Sequence, residues 1–446
     1  MKIYEDTVSD STTDSITDSA AVSASDPPSA PFVYHRLDVI FSLLAFFLGF
    51  WFVYTFSSDY FSEKMTVFTV AYAIFVLSWL YLSGRKPVKE SWFYLVLLFA
   101  AGISFSFWSL FELLHFLTLY LLAAYWTLSA SGALAKGTTS NWAFLDGANA
   151  FLILPFSNFA CQWRIWGKEL KKNSSSQKIL SLLLGIGISV PVLAVVLPLL
   201  SSADTNFNNL ILSVSDYIGS HFAIHIFRLL FSLPVSFCIF SLVFGSMYRR
   251  NRALPDPDRV SRLQSSLRFL TNLAVCTVLG LVCIFYCIFI ALQGSYFFSA
   301  FAGIRPDGFT YAEYARQGFF ELCKISAFNL LLLVFCNFCA KAAPDDHHAL
   351  RIMDLFLSVL TLLLIATALS KMFLYIFAYG LTAKRILATT FLLWLGVIFT
   401  GMIIRQKKPS FSVMRIAVFS GSILLTQLHV LPWEYIIQYV NHTVFF

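Results

Sequence analysis

Nine ionisable side chains fall inside or at the margin of long apolar runs: Glu112, His115, His221, His225, Arg228, Glu321, Lys324, Asp354 and Lys371. A charge in such surroundings costs several kcal/mol unless it is paired or wetted, so these residues are the first place to look for function. His221, His225 and Arg228 repeat at i, i+4, i+7 and share one helix face, as do Glu112 and His115 at i, i+3. Two histidines a turn apart beside a carboxylate have the form of a metal site. H-x-x-x-H without an internal Glu lacks the metalloprotease pattern, however, and hydrogen-bonded or interfacial side chains explain the same residues. No metal or other cofactor is expected.

Two segments carry more information. In Phe309–Lys324, Thr310 and Glu313 have capping-box spacing and Phe309 and Tyr314 that of a hydrophobic staple, which predicts a helix start. Glu313 can pair with Arg316, and Glu321 with Lys324. In Ser370–Arg385, Lys371, Tyr375 and Tyr379 follow one another at i+4, Gly380 suits a helix end and Thr382 can cap the next helix. The expectation is one outward-facing polar cavity lined by Glu313, Arg316, Glu321, Lys371, Tyr375 and Arg385, with His221, His225 and Arg228 nearby. Its cations suit an anionic group such as a lipid phosphate.

The elements that must position these residues are membrane spans. Of 446 residues, 58% are hydrophobic, 17% aromatic and only 12% charged, with 48 phenylalanines and a mean hydropathy of +0.74. Ordinary soluble domains carry about a quarter charged residues, so the predicted fold is all-α, a polytopic transmembrane helical bundle. About eleven apolar runs are long enough to cross: 37–56, 65–83, 92–108, 110–130, 179–201, 222–246, 269–292, 322–340, 352–378, 386–404 and 413–431. The third and fourth abut and read either as two helices or as one bent pair.

Lysine and arginine alternate with these runs. Of the 31, 23 fall on one set of loops and termini and five on the other, placing the N-terminus in the cytoplasm and the C-terminus outside. Residues 1–31 are acidic and Ser/Thr-rich, with a net charge of about −5, and read as a disordered tail. Spans 37–130 precede a cytoplasmic segment, 131–178, in which Trp163-Arg164-Ile165-Trp166 beside Lys168, Lys171 and Lys172 predicts an interfacial helix, with a re-entrant loop as the rival reading. A transmembrane core, 179–431, and a short outer tail, 432–446, complete the chain. The basic loop Arg249–Arg268 suits anionic lipid headgroups, and no nucleic-acid partner is expected.

TYAEYARQGFFEL (Thr310–Leu322) and LYIFAYGLTAKR (Leu374–Arg385), with a weaker LSSAD at Leu200–Asp204, resemble the signatures of bacterial multi-pass membrane proteins classed only as domains of unknown function, of the DUF4173 and DUF4153 type. The resemblance runs from about Ile179 to Leu431. It implies a bacterial cytoplasmic-membrane protein and brings no activity, substrate or cofactor.

No P-loop, dinucleotide fingerprint, kinase set or serine-hydrolase elbow is present, and no soluble stretch is long enough for a catalytic domain. Three functional classes remain open. The first is a transporter, channel or flippase. The second is a membrane-embedded enzyme on lipid-linked substrates, using Glu313, Glu321 and Lys371. The third is a membrane partner in a signalling or envelope-assembly complex.

Overall fold

The computed structural model describes residues 32–56, 61–105, 111–171, scattered positions between 182 and 193, and 195–253, 266–292, 311–341 and 347–445. The side chains of 61–62, 214–224, 311–318 and 444–445 lie outside this description. The described residues from Arg36 onward form one compact helical unit without strands, apart from an isolated bridge between Leu270 and Ala340.

The helices are α1 (Arg36–Phe56), α2 (Phe61–Leu82), α3 (Ser91–Ser104), α4 (Glu112–Ala130), α5 (Ala143–Ala148), a π turn (Asn149–Ile153), α6 (Leu154–Ser157) and α7 (Cys161–Lys171). They are followed by α8 (Thr205–Tyr248), α9 (Asn272–Leu292), α10 (Tyr311–Cys339), α11 (His348–Tyr379), α12 (Ala383–Lys407), α13 (Val413–Val430) and α14 (Trp433–Phe445). Among the described residues ten segments are long and apolar enough to cross a membrane, and the chain is a multi-pass membrane protein. Nine of them coincide with predicted spans.

The differences from the predicted spans are specific. The run 92–108 forms only α3, 14 residues or about 21 Å, and it pairs antiparallel with α4. Val88 N–H donates to Ala130 O, the Tyr94 and Tyr125 rings meet at 5.0 Å, and Ala101 O contacts His115 Nε2 at 2.8 Å. The abutting runs are therefore two helices folded into a hairpin. About half of the predicted span 179–201 lies outside the described residues, and the predicted outer tail contains helix α14. The tenth apolar segment, Ala143–Lys171, is broken into α5, the π turn, α6 and α7, with a turn at Asn158–Ala160. Its polar side chains point inward: Gln162 Nε2 donates to Ser42 O at 2.8 Å and to Ser236 Oγ at 2.7 Å, and Trp166 Nε1 to Ser42 Oγ at 2.8 Å. Trp163, Arg164 and Lys168 remain exposed.

Lipid offers helices little hydrophobic reason to associate, so close packing at small residues has to hold them. Ser42, Ala45 and Gly49 form such a stripe on α1, against Ser232 and Ser236 of α8. A Cβ on Gly49 would meet Ser232 O and Ser236 N, both backbone atoms, at 2.8 Å. Nearby, Phe41 stacks on the fully buried Trp79 at 4.9 Å, and Trp79 lies 5.3 Å from Phe240.

The loops richest in arginine and lysine meet at one end of this bundle. Arg85 donates to Met247 O, Arg249 to Gly132 O at 3.0 Å and Arg252 to Ala133 O. Ser412 Oγ donates to Asn141 Oδ1 at 2.6 Å, and Arg415 bridges to Glu90 at 3.0 Å. Asp38 joins this end, its carboxylate accepting from Trp79 Nε1 at 3.2 Å and from Tyr248 Oη at 2.8 Å.

Gly49→Leu is expected to lower thermal stability by about 1–3 kcal/mol, because backbone rather than a movable side chain stands in the way. Gly167→Ala, in α7 with nothing within 4 Å of the added carbon, is the matched control and is expected to be neutral or mildly stabilising. Equal melting temperatures for Gly49→Leu and wild type would remove the small-residue seam as a determinant of the fold.

Candidate functional site

The antiparallel seam between α10 and α11 carries polar groups at three successive levels. At one end Asp354 of α11, 1% exposed, has Asn337 of α10 and Gln406 and Arg405 of α12 around it. In the middle Asn329, fully buried, donates from Nδ2 to Thr361 Oγ1 at 2.9 Å and accepts at Oδ1 from Tyr286 Oη of α9 at 2.7 Å. At the other end Lys371, also 1% exposed, is acted on by the carboxylate of Glu321. Glu321, Asn329 and Asn337 are eight residues apart, about 12 Å per step along α10, and their partners on the antiparallel α11, Lys371, Thr361 and Asp354, stand in the same order with steps of ten and seven residues.

Buried serines fill the intervals. Ser326 donates to Leu322 O at 2.8 Å and Ser358 to Asp354 O at 2.7 Å, which keeps each hydroxyl satisfied within its own helix. The level at Asp354 differs, since the buried oxygens Asp354 Oδ1 and Asn337 Oδ1 have no hydrogen-bond partner. Asn337 spends its Nδ2 on Leu333 O at 2.9 Å.

The α11–α12 turn shapes the Lys371 end. Gly380 ends α11 at φ +78°, a conformation that favours glycine. Arg385 reaches back, donating to Tyr379 O at 3.0 Å and to Gly380 O, with its guanidinium 3.9 Å from the centre of the Tyr375 ring. Tyr375 and Tyr379 rings lie 5.4 Å apart. Thr382 occupies the N-cap of α12, but its hydroxyl makes no cap bond and the helix start rests on backbone donors to Thr382 O. Asn441 of α14 clasps the turn, accepting from Leu381 N at 2.6 Å and donating to Leu381 O at 3.1 Å.

Lys371, Glu321, Tyr375 and Arg385 therefore share the α10–α12 neighbourhood. Glu313 and Arg316 fall on the first turns of α10 and His221 on α8, where side chains lie outside the described residues, as does Thr310. His225 is exposed, and Arg228 faces the N-terminal helices, 4.8 Å from the centre of the Tyr54 ring that Lys64 approaches at 4.7 Å. His115 belongs to a third cluster. Its ring stacks on Phe105 at 3.7 Å and on His429 of α13 at 4.2 Å, while Thr118 Oγ1 lies 3.1 Å from His429 Nε2.

Sequence reasoning found the charged ends of the seam and missed its middle. Asn329, Asn337 and Thr361 bear no charge, and only their eight-residue and heptad-like spacing relative to Glu321 and Asp354 marked them. His429 lies 314 residues from His115, a pairing no local pattern contains.

Residues 93–444 match the DUF4153 family, described as a domain of unknown function, and the chain belongs to it. The match begins well before Ile179 and so takes in α3 to α7 as well as the later helices. No curated protein and no solved structure matches the chain.

The middle level yields a direct test. Tyr286→Phe and Asn329→Ala should each destabilise the protein, and the double mutant should cost less than their sum by about 0.6–1.7 kcal/mol, the range of hydrogen bonds between membrane helices. Additive losses in thermal or denaturant unfolding would separate the two residues energetically.

Proposed function

We propose that this protein is a membrane transporter, channel or flippase whose path follows the α10–α11 seam and whose outer mouth accepts an anionic group such as a lipid phosphate. The observation that carries this reading is the polar pairing at three levels of one helix pair. Packing alone has no need of buried Asp354, Asn329, Thr361 and Lys371 along it, and each is costly in hydrocarbon. Glu313, Arg316, Glu321, Lys371, Tyr375 and Arg385 line the mouth in this proposal.

The proposal includes an orientation: eleven spans, an N-terminus in the cytoplasm, a C-terminus outside, and residence in a bacterial cytoplasmic membrane. Arg85, Arg249 and Arg252 give their donors to backbone carbonyls rather than to carboxylates, so their charge remains available to anionic headgroups. Burial and the neighbouring Arg249 hold Arg252 below the usual guanidinium range, and Asp146 opposes this. In this arrangement α7 lies in the headgroup zone with its exposed Trp163 and Arg164, and residues 1–31 form a disordered tail.

Orientation is read by single cysteines in a cysteine-free background. One at Asp307 should react with an impermeant thiol reagent in intact cells, and one at Pro257 should not. The reverse pattern would invert the topology.

Transport is read in liposomes containing the purified protein and a fluorescent anionic phospholipid, using an external quencher. The protein should speed loss of the inner-leaflet signal, and Lys371→Met should slow it severalfold. Protein-containing and empty liposomes behaving alike, together with no aqueous labelling of cysteines at Ser326 and Thr361, would defeat the transport reading. Lys371→Met and Glu321→Gln should also couple, with an interaction energy on the order of 0.5–3 kcal/mol in unfolding.

A further inference from the structure

A cavity of about 390 Å³ lies in the N-terminal half, away from the α10–α12 seam, walled by α1, α2, α3, α4, α6 and α8. Its origin is visible in the residues. Pro234 stands inside α8, where its missing N–H leaves the Leu230 carbonyl without its helical donor. Pro155 lies at the start of α6, and on α4 the short side chains of Ala123 and Ala124 follow the larger Phe116, Leu119 and Tyr120 along the wall.

The hydroxyls on the wall are already bonded elsewhere: Thr69 Oγ1 donates to Met65 O at 2.9 Å, Tyr72 Oη is bonded to Thr127 Oγ1 at 2.7 Å and Tyr120 Oη donates to Phe151 O at 2.6 Å. Water entering so apolar a space would find too few partners to hold it. Left empty, a space this large would forfeit the dispersion contacts of its whole lining.

The cavity opens sideways past Tyr120 of α4 and Phe156 of α6, both exposed, beside exposed Leu117 and Leu152. That rim belongs to the apolar surface a multi-pass protein presents to its bilayer, so the medium at the mouth is hydrocarbon. The volume falls within the range of ordinary ligand pockets, roughly 300–1,000 Å³. We propose that this cavity is a binding site for one acyl chain of a membrane phospholipid, inserted between α4 and α6 past Tyr120 and Phe156. The chain completes the packing that Pro234, Ala123 and Ala124 leave open, and it is bound by shape and apolar contact alone.

The full-length protein in nanodiscs made with a phospholipid carrying a diazirine in the distal half of one acyl chain provides the test. After irradiation and digestion, adducts should concentrate on the cavity wall, at Phe52, Phe68 and Cys238, as well as on lipid-facing residues such as Leu281 and Phe285 of α9. Ala123→Phe, which fills the space, should abolish the wall adducts and leave those on α9 unchanged. Ala123→Leu serves the same purpose if the larger side chain prevents folding. A second readout uses the native Cys238: in detergent, adding unlabelled phospholipid should slow its alkylation by a membrane-permeant maleimide severalfold. Wall adducts at the same yield in wild type and a folded filled variant, adducts on α9 alone, or Cys238 alkylation indifferent to phospholipid would each overturn the site.

Discussion

A polar group inside a bilayer has no water to fall back on, and the arrangement of this protein follows from that constraint. It makes every crossing element a helix. It also turns each polar side chain in those helices into a demand for a partner, and the three levels of the α10–α11 seam show the demand met in different ways. Asn329 is answered by side chains from two other helices, Tyr286 and Thr361, and so ties α9, α10 and α11 together. Ser326 and Ser358 are answered within their own helices and leave their neighbours free to slide. Among the described residues, Asp354 Oδ1 and Asn337 Oδ1 have no hydrogen-bond partner, although Asn337 and Gln406 act on the Asp354 carboxylate.

The two halves of the bundle meet this constraint by different chemistry. The first half relies on aromatic stacking around Trp79 and close approach at Gly49, with polar ties gathered at the arginine-rich end. The second half places its polar groups along the length of a helix pair. Helix α13 joins the halves: Trp394 of α12 donates to Ala417 O at 2.9 Å, Phe419 lies 4.6 Å from Phe93 of α3, and His429 stacks on His115 of α4. A displacement of the seam helices would therefore reach the first half through α13, and the stacked histidines are where it would be felt.

Helix class and nine of the crossing segments were legible because apolar run length and charge alternation are local signals that survive any tertiary arrangement. The elements that local rules left open are those in which distant contacts decide the packing. The run 92–108 is apolar enough to cross, yet α3 ends at Ser104, where Phe105 and Ser104 turn to the His115 ring. In the segment Ala143–Lys171, Gln162 and Trp166 are committed to α1 and α8, contacts more than a hundred residues away for Ser42 and more than seventy for Ser236. Among the site residues, Lys371 and Glu321 drew attention through charge. Arg228 drew the same attention and belongs with Tyr54, because i, i+4, i+7 spacing fixes a shared face but not the neighbour that face meets.

Cations stand at both ends of the bundle, and what distinguishes them is how they are held. At the arginine-rich end Arg85, Arg249 and Arg252 clamp loop carbonyls, which spends their donors on structure, while Glu90 and Asp146 offset part of the charge at Arg415 and Arg252. Arg385 is held by two carbonyls of the α11–α12 turn and by the face of Tyr375, with no carboxylate among its partners in the described residues. Lys371 differs, since Glu321 already acts on it. An anion arriving at this end would thus meet one cation whose charge is unopposed and one that must be shared with a carboxylate. The first favours entry and the second limits how tightly the anion stays, and a transport site needs both properties where a storage site needs only the first.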